Sequence, residues 1–406
     1  MCLYLHVNIE SYERFFTRKI FFRIVIVTNV KSCIFVLDYQ LFMKKILLVL
    51  SFLCIVFIGF FLSPFQHQNQ APTRAFYYWK NYDDFWFESD IIDTLQVRKL
   101  YVKYFEVDYD SDLGPVPKAK TELTMSRTKW DYEQDKEVLS PYAKLNIVPT
   151  VFILNSVFKE PDLNTREMAK NILFLVLKKF EENMEGFSCP KEIQIDCDWT
   201  ESTKLVYLRF LRELKQEMRK NASLENTQLS ATLRLYAYKF PDRMGVLPVD
   251  RAMLMCYNLL TPRESGNRNS ILDIQELKKY LEGADDYPIA LDVALPTYSN
   301  VQVFQNKQFK SLFYEEDSTF LSYLKPLKPP FYLISKDTLV DEVYLRKGDH
   351  LKVERVSAKQ IREAIDVINQ EVYFRDRPTM ALFHLDSDEL RKYTHEELVG
   401  FYMRLR

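Results

Sequence analysis

The 406-residue chain carries 55 basic against 56 acidic side chains, and this net charge of −1 offers no basic surplus for nucleic acid. A chain this long can bury a core without disulfides or metals. Its six cysteines include no C-x-x-C pair and its five histidines are scattered, which argues against a structural zinc site.

Read from the N-terminus, Met43-Lys44-Lys45 precedes an almost unbroken apolar run over 46–62. Lysines before a stretch of that length predict an export signal or transmembrane anchor over 43–63, with the lysine end in the cytoplasm. No small-x-small cleavage site follows. A lipoprotein start at Cys54 is the alternative, but Leu53 stands where a small residue is expected. An uncleaved anchor is therefore the expectation, with the body held on the outer side of a bacterial membrane. Residues 1–42 read as an over-extended leader and 64–73 as a linker.

From Arg74 onward short apolar strands alternate with amphipathic helices, the rhythm of a parallel sheet. Strands are predicted over 75–79, 99–107, 147–154, 192–198, 229–235, 252–258, 289–295 and 379–385. Helical faces recur over 168–180, 202–220 and 274–281. Eight such strands close most naturally into a (β/α)8 barrel over 74–406. A doubly wound open sheet is the runner-up, but no Gly-rich phosphate loop follows the first strand. The span of about 300–375 breaks the rhythm. It reads as a small α+β insertion between strands 7 and 8, with a strand at Phe331-Tyr332-Leu333-Ile334 and a hairpin turning at Lys347-Gly348-Asp349. Cys189 and Cys197 are close in sequence, but Cys197 falls inside a predicted strand, so buried free thiols are expected rather than a bridge.

Side chains alternate faces along a strand. Gln194, Asp196 and Asp198 therefore share one side of strand 4, and Ser230, Thr232 and Arg234 one side of strand 5. Their apolar partners should pack on the helices, leaving carboxylates, an arginine and hydroxyls inside the barrel. Burying such groups unpaired costs several kcal/mol, so either Arg234 pairs structurally with Asp196 or the cluster serves the C-terminal face, where barrel chemistry sits. Glu106 and Asp108 close strand 2, Tyr257 and Asn258 close strand 6, and Asp292 sits within strand 7. Tyr78 and Trp79 are candidates for stacking on a sugar, with core packing the competing role.

Ile195-Asp196-Cys197-Asp198-Trp199 resembles the D-x-D-x-E strand of chitinase-like glycoside hydrolases, and Met253-Leu254-Met255-Cys256-Tyr257-Asn258 resembles their M-x-Y-D strand. The wider pattern, from Arg74-Ala75-Phe76-Tyr77-Tyr78-Trp79-Lys80 through Asn258, looks like a family of exported bacterial proteins with a hydrolase-like barrel. The resemblance implies a polysaccharide or glycan as partner and carboxylate acid/base chemistry, with no cofactor. Two positions depart from it: Thr200 stands where that family has its acidic Glu, with Glu201 one place on, and Asn258 stands for the sixth-strand Asp. Within this reading Asp198 is the general acid, its pKa raised by Asp196. Asp292 or Glu106 is base or nucleophile, and Arg234 and Tyr257 orient substrate. A non-catalytic glycan-binding or scaffold barrel is the alternative.

Overall fold

The computed structural model describes residues 71–80, 89–314, 322–340 and 343–406. The expected leader, the anchor and most of the linker lie outside the described residues.

Eight strands form one parallel sheet: β1 (Thr73–Tyr78), β2 (Lys99–Asp110), β3 (Asn146–Ile153), β4 (Glu192–Asp196), β5 (Gln228–Arg234), β6 (Arg251–Met255), β7 (Ala290–Pro296) and β8 (Thr379–Phe383). Each pairs in parallel with the next, and β8 pairs with β1, so the sheet closes into a TIM-like barrel. β2 runs on past the rim and folds back as an antiparallel arm, Gly114–Lys118.

All eight sequence-predicted strands are present. β4 and β6 end earlier than expected, at Asp196 and Met255, so Asp198, Tyr257 and Asn258 stand on the loops that follow them.

The principal helices pack outside: α1 (Thr165–Asn183), α2 (Lys204–Lys220), α3 (Ile274–Leu281), α4 (Ala358–Glu371) and α5 (His395–Arg404). All but α2 start at a side-chain cap. Asp273 accepts from Glu276 N, and Ser357/Gln360 and Thr394/Glu397 form reciprocal capping boxes. The apolar stripe read from 202–220 is the buried face of α2, with Leu208, Leu211, Leu214 and Met218 against the barrel, whereas Leu205 from the same stripe is exposed.

The insertion between β7 and β8 is a five-stranded antiparallel sheet in the order Gln308–Tyr314, Asn300–Gln305, His350–Glu354, Phe331–Ile334, Leu324–Pro326. It has its own small core, including Val301, Val303, Ile334 and Leu351. The hairpin expected at Lys347-Gly348-Asp349 is not formed. That corner turns, with Gly348 at φ +91°. However, Val343–Leu345 before it pairs with Thr338–Val340, and His350–Glu354 after it pairs with two other strands. Asp349 fixes the corner instead, accepting from Arg346 N and Gln305 Nε2 at 2.8 Å each.

A buried seam joins the insertion to the segment after β6. Lys352 and Glu354 pair at 2.6 Å with side chains 1% exposed. Lys352 also donates to Ser265 Oγ and Arg268 O, and Glu354 accepts from Ser270 N. The two buried charges of the seam are therefore matched, as burial demands.

Cys189, Cys197 and Cys256 are all free; the last two are buried and Cys189 is exposed.

Candidate active site at the barrel mouth

Charged side chains point into the barrel at both of its ends, but the two ends differ. At the N-terminal end Lys99 Nζ lies 2.8 Å from Glu192 Oε2 and donates to Thr379 Oγ1, while Ser230 donates to the other oxygen of Glu192. Beside them Arg251 reaches Asp292 at 2.7 Å and Asp376 at 2.6 Å, and Thr379 N donates to Asp292 Oδ1. Asp292 is therefore interior, as its strand position implied. Its carboxylate is spent on Arg251, toward the floor rather than the mouth.

One layer up, Tyr77 stacks on Tyr101 with centroids 4.8 Å apart and donates to Gln194 Oε1 at 2.8 Å across the barrel. Burial pushes both phenols far above their ordinary pKa, so they serve as neutral hydrogen-bonding groups.

The mouth is built by the residues that follow. Asp196, the last residue of β4, accepts from Thr232 Oγ1 on β5 at 2.6 Å. Its carboxyl is pushed up to about 6, first by burial and also by Asp198, against the lowering effects of the Thr232 hydrogen bond and Arg234. Arg234 is bonded through Nε and Nη2 to Asp198, not to Asp196. That fork is half in solvent: Asp198 is 52% exposed and Arg234 36%. The elevated acid of the pair is therefore Asp196, the inner residue, because it has lost water and has no cation of its own.

Glu106 reaches the mouth through an irregularity in β2. The register between β2 and β3 shifts between Lys103 and Phe105, leaving Tyr104 as an extra residue. Before the bulge Lys99, Tyr101 and Lys103 face inward; after it Phe105, Val107 and Tyr109 face α1, and Glu106 turns in. Lys103 Nζ then holds Glu106 Oε1 at 2.8 Å and sits 5.8 Å above the Trp79 ring. Glu106, Phe152 and Asp196 occupy one register row across β2, β3 and β4. Two strand spacings separate the carboxyl-bearing residues, roughly 9–10 Å between Cα atoms.

Aromatic rings line the same end. Trp79 meets Phe152 edge-on, and Phe383 from β8 packs against Trp79 and Tyr257, whose other neighbour is Tyr298. Asn258, in left-handed backbone at φ 53°, accepts from the Tyr298 hydroxyl. Lys80 and Asp386 bridge the exits of β1 and β8 at 2.8 Å.

The other candidates sit elsewhere. Tyr78 is fully buried and faces the helices, since its neighbour Tyr77 faces in. Asp108 is beyond the rim, paired with Lys118 of the arm at 2.9 Å. Thr200 is engaged with Ser202 and Thr203, and Glu201 accepts from the Tyr236 hydroxyl on the outer surface. Lys103, Phe152, Phe383 and Tyr298 were not singled out from the sequence. Lys103 could have been found by extending the inward alternation of Lys99 and Tyr101. The others needed the closed sheet.

Among the described residues no group of three or more His, Cys, Asp or Glu side chains is placed to hold a metal ion.

Among solved structures, the C-terminal domain of a Desulfitobacterium hafniense protein assigned as a chitinase has a TM-score of 0.50 at 14% identity, over 83% of this chain and 100% of that one. The Bacillus cereus spore cortex-lytic enzyme SleL gives 0.47 at 14% identity over 82% and 74%. A Bacteroides thetaiotaomicron chitinase gives 0.45 at 10% over 82% and 97%. No protein-family model matches the chain, and no curated protein matches it. At these identities the likeness is one of fold, and that fold is the TIM-like barrel of chitinase-like hydrolases.

Proposed function

We propose that the barrel mouth binds a glycan and hydrolyses a glycosidic bond, with Asp196 as proton donor and Glu106 as the carboxylate that activates water. The observation that carries this reading is Asp196 itself: an inward carboxyl at the C-terminal mouth, pushed up to about 6 and two strands away from a second inward carboxyl. Asp196 gives its proton to the glycosidic oxygen as the bond to the anomeric carbon breaks. Glu106, positioned by Lys103, takes a proton from the water whose oxygen joins that carbon. Trp79 and Tyr257 supply ring faces to the sugar, and the Asp198–Arg234 fork orients its hydroxyls at the rim.

The name carried by the D. hafniense neighbour makes chitin the first substrate to try. Release of reducing ends from chitin and a set of bacterial polysaccharides is the test. D196N and E106Q should each lower the rate about 10²–10⁴-fold while glycan affinity persists. Activity of the parent should fall as pH rises through about 6, where Asp196 loses its proton.

One observation favours a second reading, a barrel that holds a glycan without cutting it. Thr200 occupies the place of the resembled family's acid, and Glu201 is turned to Tyr236. Tight binding with no reducing ends released from any polymer would decide for it.

The envelope location read from residues 43–62 belongs to the same proposal. The protein should sediment with membranes, and the barrel should be open to protease added from outside the inner membrane.

A further inference from the structure

Helix α2 leads directly out of the β4 loop that carries Asp198, so its first turn stands at the mouth's rim. It holds six basic and two acidic residues, a surplus of four on a chain whose total is −1. Most of these charges are engaged. Lys204 bonds the Arg243 carbonyl, Lys215 pairs with Asp250, Lys220 with Glu217, and Glu213 accepts from Thr165.

Three are not. Arg209, Arg212 and Arg219 are exposed, and none makes an ion pair or side-chain hydrogen bond among the described residues. With Leu205, itself 74% exposed, and Gln216, they fall at steps of four, three, four and three, which is one stripe of a helix. The gap in the arginine row at Gln216 is filled from α1, where Arg166 Nη2 donates to Gln216 Oε1 at 3.4 Å. The result is a row of four guanidinium groups about 15 Å long, running from the rim down the outside of the barrel. Unpaired arginines held side by side repel one another, and their forks fit carboxylates or phosphates.

We infer that this row is a docking track for a linear acidic polysaccharide, whose uronate or phosphate groups the arginines hold while the polymer passes over the mouth. The anionic character of the ligand follows from the row alone. Its being a glycan rests on the reading of the mouth given above. A single straight stripe beginning at the rim suits a polymer that continues from the site better than it suits a broad lipid plane.

The experiment uses full-length protein carrying D196N, so that cleavage does not interfere. Its probes are polygalacturonate, neutral dextran, and phosphatidylglycerol/phosphatidylcholine vesicles. Polygalacturonate should bind more tightly than dextran and weaken steeply as salt rises from about 0.05 to 0.5 M. The added triple change R209Q/R212Q/R219Q should cost about tenfold or more in affinity. R127Q, which removes an exposed arginine away from the stripe, should cost nothing, and both variants should keep the parental melting temperature.

Equal affinity for polygalacturonate and dextran overturns the inference, as does a triple variant that binds like its parent. Tighter binding to the vesicles than to polygalacturonate overturns it in favour of a membrane-facing surface. The two readings fail separately. Salt-sensitive binding lost in the triple variant supports the track even if the parent cuts no glycan, whereas cleavage of a neutral glycan by a parent indifferent to polygalacturonate leaves the mouth standing and removes the track.

Discussion

The floor and the mouth of this barrel are both built from charged side chains pointing inward, yet they are opposite kinds of place. At the floor every charge meets its complement: Lys99 with Glu192, and Arg251 with Asp292 and Asp376. At the mouth Asp196 is desolvated beside a hydroxyl, while the arginine above it is committed to Asp198. Saturated charge in a protein interior stabilises shape, and charge left one partner short is available for chemistry. Polarity inside a barrel does not by itself locate a site; the hydrogen-bond accounting does.

The comparison breaks most visibly at the floor. Arg251→Met leaves Asp292 buried without its cation and should cost about 3–5 kcal/mol in urea denaturation. A loss under about 1 kcal/mol would mean that the floor is not held by paired charge.

At the mouth the sign should reverse. The Asp196 carboxyl sits at about 6 in the fold against 3.8 in the unfolded chain, so between these values the folded state binds the extra proton. Stability therefore falls as pH rises through that window, and the deficit persists above it. Asp196→Asn removes the deficit and should stabilise the protein above pH 6, by at most about 3 kcal/mol before solvent screening at the rim reduces it. Below pH 4 the two proteins should match. Equal melting temperatures at pH 4 and pH 8 for parent and variant alike would contradict the assignment.

Trp79→Ala sharpens the contrast further. It should weaken glycan binding about three- to tenfold through the lost ring face, read by titration calorimetry. The smallest effect belongs to the exposed fork: Asp198→Asn should change stability by no more than about 1 kcal/mol.

Much of this architecture is legible in the chain. Each strand announces itself as a short apolar run, and the polar alternation at Gln194, Asp196, Ser230 and Thr232 gives the inward face, because period 2 is a local property. What is not legible is pairing. Arg234 stands as near to Asp196 as to Asp198 until the register is known, and Ala231 lying opposite Ile195 decides for Asp198. Asp292 has the same local pattern whether it faces a substrate or Arg251, and the difference lies 41 residues away. The corner at Lys347-Gly348-Asp349 carries hairpin chemistry in its glycine, but which strands flank it is settled by a sheet assembled from distant segments.

The extra residue at Tyr104 acts on β2 as a frameshift acts on a reading frame. Upstream of it odd-numbered positions belong to the interior, and downstream even-numbered ones do. A saturation scan of 99–110 should therefore show tolerance whose phase inverts at 104. Deleting that single residue would leave Glu106 opposite Phe152 in an unbroken ladder, whereas a strand that kept Tyr104 but paired it with Val151 would bring Phe105 to the mouth in place of Glu106. An inventory of residue types would not register the difference, because the information lies in which residue the ladder leaves unpaired.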